Sequence, residues 1–97
     1  MAGRLRPWCV YIIVANDGSL YTGVTTDVGR RFREHQGSGR GARYFSAGRR
    51  PLAVVYQEAC ADRASACRRE AEIKQLSRAG KDALVLAYAS TAVTDPG

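Results

Sequence analysis

Eight consecutive residues, WCVYIIVA at positions 8–15, carry no charge and are mostly aromatic or β-branched. The run does not alternate with polar residues, so neither of its faces suits water. It reads as a central strand covered on both sides. Asn16-Asp17-Gly18 is a turn signal, and Ser19 to Val24 reads as the returning strand. The loop length then decides which side chains share a face. A two-residue Asp17-Gly18 loop pairs Asn16 with Ser19 and sets Tyr11 and Tyr21 on opposite faces. A three-residue loop, with Gly18 left-handed in a bulge, pairs Ala15 with Ser19. Ile13 then faces Tyr21, Tyr11 faces Gly23, and both tyrosines point the same way. A type I turn followed by glycine suits these residues, so the second register is favoured.

Further along, Thr26 or Asp27 is placed to cap a helix of about ten residues ending near Gly37. Residues 37–50 read as a long loop. Pro51 introduces a third strand, Leu52 to Glu58. Asp62 caps a second helix to about Leu76, and Ser77 a third to about Tyr88. The order β-β-α-β-α-α implies an α+β fold, a small sheet flanked by helices. A chain of 97 residues forms one domain, expected over 8–89, with residues 90–97 as a disordered tail. The composition, 45% hydrophobic and 25% charged, excludes a collagen-like repeat, a disordered chain and a membrane-spanning protein. So short a chain buries only about 60–65% of its unfolded surface. The expected site is therefore a groove against the sheet rather than a deep cavity.

Charge is distributed unevenly. Residues 30–50 hold seven arginines and one acid, Glu34, which equals the whole formal net charge of +6. The cations and anions elsewhere cancel. An Arg-rich stretch interleaved with Phe32, Tyr44 and Phe45 is the footprint of phosphate-backbone binding. It nominates Arg30, Arg40, Arg43, Tyr44, Arg49 and Arg50 as nucleic-acid contacts. Gly39, Gly41 and Gly48 could cradle phosphate, but a lone glycine-rich loop is a weak signal. Cys9, Cys60 and Cys67 lack metal-site spacing and suit a reducing, cytoplasmic setting; Cys60 and Cys67 read as core fillers. The opening MAGRLRP before an apolar run imitates a signal peptide. No small-x-small cleavage site follows, and the run makes a better strand.

Helical geometry gathers further groups. In the first helix Val28, Phe32, Arg31 and His35 fall within an arc of roughly 100°, with Arg30, Arg33 and Glu34 pointing away. In the second, Glu70 falls between Ala66 and Cys67, with Ile73 nearby. A carboxylate turned inward there needs a cation, a donor or a metal. Two tyrosines, an Arg/His pair and an inward Glu have a logic for phosphodiester hydrolysis. A carboxylate holds a hard metal, an arginine neutralises phosphate charge, and Tyr or His orients or deprotonates water. Each also has a plain structural reading, with Glu70 pairing Lys74 on the helix surface among them.

The segments WCVYII, SLYTGVTTDVGRRFREH and ACRREAEIK, in that order, resemble the GIY-YIG nuclease superfamily, in particular its small stand-alone bacterial branch. RRPLAVVY also stands at the family's interval, and the likeness covers residues 8 to about 86. It implies a three-stranded antiparallel sheet flanked by helices, and DNA cleavage dependent on one Mg²⁺ or Mn²⁺. By the same resemblance Tyr11 and Tyr21 are the motif tyrosines, Arg31 and His35 the helix pair, and Glu70 the metal-binding carboxylate. Tyr11, or a Tyr–His relay, would be the general base, with Tyr21 orienting it and Arg31 stabilising the phosphate. Cys9 stands where the family has Gly, and Thr22 where it has Ile; Gly23 is retained. A structure-directed endonuclease with a repair or processing role is the implied function, its substrate chosen by DNA shape or by a partner protein. The rival is a non-catalytic nucleic-acid-binding module, and RNA is not separated from DNA by these residues.

Overall fold

In a computed structural model of the chain the described residues are 7–37, 45 and 48–93. The elements run β1 (Trp8–Ala15), β2 (Leu20–Thr25), α1 (Val28–Gly37), β3 (Pro51–Cys60), α2 (Arg63–Lys74) and α3 (Arg78–Val93). The three strands form one antiparallel sheet in the order β2-β1-β3. The uninterrupted apolar run is therefore central. Val10, Ile12 and Ile13 are fully buried, as a run without alternation requires.

The hairpin takes the three-residue turn. The Ala15 N–H donates to the Ser19 carbonyl and the Gly18 N–H to the Ala15 carbonyl, each at 2.9 Å. Gly18 has φ +85°, the left-handed conformation glycine adopts without steric cost. Ile13 pairs with Tyr21 and Tyr11 with Gly23.

Side chains alternate along β1, so its two faces differ. Val10 and Ile12 join Tyr56 and Ile73 in a core that Leu20, Val24, Leu84, Val85 and Tyr88 border. α2 packs on β1 and β2 and α3 on β3 to close this side. The other face presents Tyr11, and His35 of α1 lies against it. Asp62 caps α2, its carboxylate accepting from the Ser65 N–H at 2.8 Å. Asp27 does the same for α1 through the Arg30 N–H, at 3.0 Å.

Several details depart from the sequence reading. α3 continues to Val93 rather than ending near Tyr88, so the expected tail begins as helix. Its Gly80 does not break the first turn, where the Gly80 N–H donates to Ser77 Oγ. β3 is longer than expected and runs past Glu58 to Cys60. Cys67 is exposed rather than a core filler, because the inward stripe of α2 is carried by Ala66 and Ile73.

Candidate active site

The register places the two tyrosine rings 6.2 Å apart, centroid to centroid, on the face away from the main core. Tyr11 is 1% exposed and Gly23 lies directly opposite it. A Cβ built on Gly23 would come within 2.7 Å of the Tyr11 hydroxyl and 2.8 Å of its Cζ. Glycine is therefore needed there because the tyrosine ring crosses the strand, a reason the sequence alone did not supply.

α1 delivers His35 to the same place. It is the buried residue of that helix, whereas Val28 and Phe32 of the expected inward stripe are half-exposed. Its Nε2 lies 3.1 Å from the Tyr11 hydroxyl. Its ring meets Tyr21 at 5.1 Å in an edge-on arrangement, which suits the quadrupoles of the two rings. Phe45 completes the cluster, 5.3 Å from Tyr21 and 4.9 Å from His35. The sequence had marked Phe45 only as an aromatic within a basic stretch.

Burial governs the protonation of this group. Loss of water pushes the Tyr11 phenol well above its ordinary range, reinforced by Tyr21 and opposed by the Arg31 guanidinium. Burial also lowers the His35 imidazole to about 4, and the positive charge of Arg31 acts in the same direction. Near neutral pH both partners are uncharged, with a proton on Tyr11. Arg31 itself is held firmly charged, chiefly by its hydrogen bond to Glu34. That bond is 2.8 Å long, so Glu34 turns toward Arg31 rather than away.

Glu70 of α2 is half-exposed, beside the stripe whose buried residues are Ala66 and Ile73, and it makes the i,i+4 pair that its plain structural reading gives. Its side chain is 23% exposed, and its Oε2 takes Lys74 Nζ at 3.1 Å. Thus Tyr11, Tyr21, Arg31 and His35 come together around one hydrogen bond, while the described partner of Glu70 is Lys74. Among the described residues no three His, Cys, Asp or Glu side chains converge as a metal cage. A cation here would use Glu70 as a single oxygen ligand and keep water on its remaining positions, a mode Mg²⁺ accepts. The half-exposed carboxylate fits that use, since the cation would replace an exposed ammonium.

Of the nominated nucleic-acid contacts, Arg30 and Arg50 are exposed. Arg49 is engaged within the protein, its Nε 2.9 Å from Asp17 Oδ2. Arg40, Arg43 and Tyr44 lie outside the described residues.

A family model described as the GIY-YIG catalytic domain matches residues 7–82. The chain belongs to the GIY-YIG family. This is a nuclease family, and the three-stranded α+β fold agrees with it. A UPF0213 protein of Desulfotalea psychrophila is 53% identical over 83 residues, covering 84% of this chain and 74% of the relative. UPF0213 protein YhbQ of Escherichia coli K12 is 43% identical over 81 residues, covering 84% and 79%. A UPF0213 protein of Halobacterium salinarum is 51% identical over 75 residues, covering 77% and 95%. The solution NMR structure of a UPF0213 protein from Bacillus halodurans superposes with a TM-score of 0.52 at 46% identity, covering 82% and 83%. The names of these relatives state no reaction. Among the described residues of the GIY-YIG chain, no helix is long and apolar enough to cross a membrane.

Proposed function

We propose that this GIY-YIG protein is a metal-dependent endonuclease that hydrolyses DNA phosphodiester bonds at the Tyr11–His35 site. The observation that carries the reading is the 3.1 Å contact between a buried tyrosine hydroxyl and a buried, uncharged imidazole. Burial disfavours a standing phenolate, so Tyr11 acts as a base only if it can pass its own proton on. With Nδ1 protonated, His35 Nε2 accepts that proton while Tyr11 takes one from the attacking water, a relay of two proton transfers. The water oxygen bonds to phosphorus as the bond to the leaving sugar oxygen breaks, and that oxygen takes a proton from solvent. Tyr21 holds the imidazole edge-on, and Arg31 offsets the charge that grows on the phosphate. Glu70 is the protein ligand for one Mg²⁺ or Mn²⁺, which when bound supplies Lewis-acid charge neutralisation to the phosphate oxygens.

The excess of arginine in residues 30–50 supports a grip on the sugar–phosphate backbone with little reading of base edges. Of the nominated contacts, Arg30 and Arg50 are the described cations exposed for it, with Arg40, Arg43 and Tyr44 in the same segment. Substrate choice then rests on DNA shape, such as a flap, nick or branch, or on a partner protein, and repair or processing is the matching role.

The test is cleavage at low salt of duplex, single-stranded, nicked, flapped and branched DNA, with an RNA control, in Mg²⁺ or Mn²⁺ against EDTA. Glu70→Ala is run in parallel. Metal-dependent cutting that disappears in the variant, with binding largely kept, is the expected result. Equal cutting by Glu70→Ala would overturn the assignment, and tight binding without cutting on any substrate would favour a non-catalytic module.

A further inference from the structure

Phe45 stands inside the basic segment, where an aromatic side chain suits stacking on a nucleic-acid base. Its contacts point elsewhere. The half-buried ring meets Tyr21 at 5.3 Å and His35 at 4.9 Å, both edge-on, and so joins the cluster around the Tyr11–His35 hydrogen bond. A few residues later the chain is fastened to the β1–β2 turn. Asn16 Nδ2 donates to the Gly48 carbonyl, the Arg50 N–H donates to Asn16 Oδ1, and the Asn16 N–H donates to the Arg50 carbonyl, each at 2.9 Å. These bonds hold Gly48 and Arg50 against the β1–β2 turn just before β3 begins.

We infer that Phe45 is a positioning residue of the proposed active site, covering the His35 imidazole against water and keeping its Nε2 aligned with the Tyr11 hydroxyl. Its catalytic meaning rests on the reading above, but its physical effect can be measured without any cleavage. Among the described residues the charged and titratable groups around the imidazole are Tyr11 from β1, Tyr21 from β2, and Arg31 and Glu34 from α1. β3 places the uncharged Gln57 opposite Tyr11. None of these groups changes when Phe45 is shortened, so a change in His35 titration reports the lost cover. Water reaching the ring relieves the burial that holds the imidazole near 4.

The experiment follows the Cε1–H signal of His35 by NMR from neutral pH downward in the untagged wild type, Phe45→Ala and Phe45→Leu. The chain has one histidine, so the assignment is direct, and dispersed amide spectra mark the folded range. His35 of Phe45→Ala is expected to titrate about one pH unit or more above wild type, while Phe45→Leu, which keeps an apolar cover, stays close to it. If the wild type unfolds before its imidazole titrates, the Ala variant still protonates inside the folded range. The acid limb of metal-dependent cleavage should move with the measured value in each variant. An unchanged His35 titration in Phe45→Ala overturns the inference, as does an equal shift in Phe45→Ala and Phe45→Leu. A Phe45→Ala protein that loses only DNA affinity would reassign the ring to stacking. Absence of cleavage in every protein would defeat the endonuclease reading while leaving the titration result standing.

Discussion

At the scale of single residues, the site depends on one missing side chain as much as on those present. Gly23 adopts no left-handed conformation; it is required because the Tyr11 ring occupies the volume a Cβ would take. Gly23→Ala must push a fully buried ring off its position, and overpacking of this kind costs about 1–3 kcal/mol. The displaced hydroxyl also leaves His35. We therefore expect a lowered urea midpoint together with cleavage reduced by more than about tenfold, since relayed proton transfer contributes about 10²–10⁴. Wild-type cleavage in a destabilised Gly23→Ala would detach the glycine from the site. Tyr11→Phe isolates the chemical part, because it keeps the ring and removes the hydroxyl. Its cleavage should fall by about 10²–10⁴. Leaving a buried imidazole nitrogen without that partner should cost about 1–3 kcal/mol. Cleavage within twofold of wild type, measured in single-turnover assays, would exclude the relay.

Elements show how far local sequence carries. The hairpin register was legible because Asn16-Asp17-Gly18 and the strand period together allow few pairings, and it decided that both tyrosines share a face. Helix starts were legible from Thr26 or Asp27 and from Asp62; the structure takes Asp27 of the first two, and the Asp27 and Asp62 carboxylates cap the first turns. The end of α3 was not legible, because residues 89–93, ASTAV, mix alanine with the weaker helix formers Ser, Thr and Val and carry no Gly or Pro to mark a stop. Nor could local pattern reveal pairings such as Arg49 with Asp17 or Gly48 with Asn16, which join positions 32 residues apart in sequence. The contact of Phe45 with Tyr21, 24 residues back in sequence, was hidden in the same way. These ties make Asn16 the fastener between the β1–β2 turn and the start of β3. Asn16→Ala removes both side-chain bonds but keeps the backbone bond to Arg50. The bonds are exposed, so a loss of about 1 kcal/mol in stability is expected. Hydrogen exchange should speed up at the Arg50 amide and leave the Tyr11 amide in the central strand unchanged. Uniform acceleration across the sheet would show that the fastener serves the whole fold instead.

At the scale of the whole molecule, the formal charge of +6 sits on a small core, and titration should separate its parts. The unfolded imidazole protonates near 6.5, whereas burial, aided by Arg31, lowers folded His35 to about 4. Between those values the unfolded chain binds more protons, so stability falls as pH drops through that window and is fully present above it. The loss is on the order of 3 kcal/mol for a ring this well buried. The carboxylates act lower. Hydrogen bonds from Ser19 bring Asp17 down to about 2, and Ser65 lowers Asp62. Burial alone would raise Glu58, but hydrogen bonds from Tyr56 and Arg69 outweigh it and lower the group. Their contribution is present above their unfolded values near 4 and disappears only as pH falls through the folded ones. Urea unfolding from pH 7.5 to 3 should therefore show two successive declines. His35→Gln, which keeps a hydrogen-bonding side chain but cannot titrate, should lose the first decline and retain the second. A wild-type midpoint that stays level from about pH 6.5 to 4 would mean the folded imidazole binds its proton as readily as the unfolded one. The uncharged Tyr11–His35 pair would then be lost as a starting point for the relay.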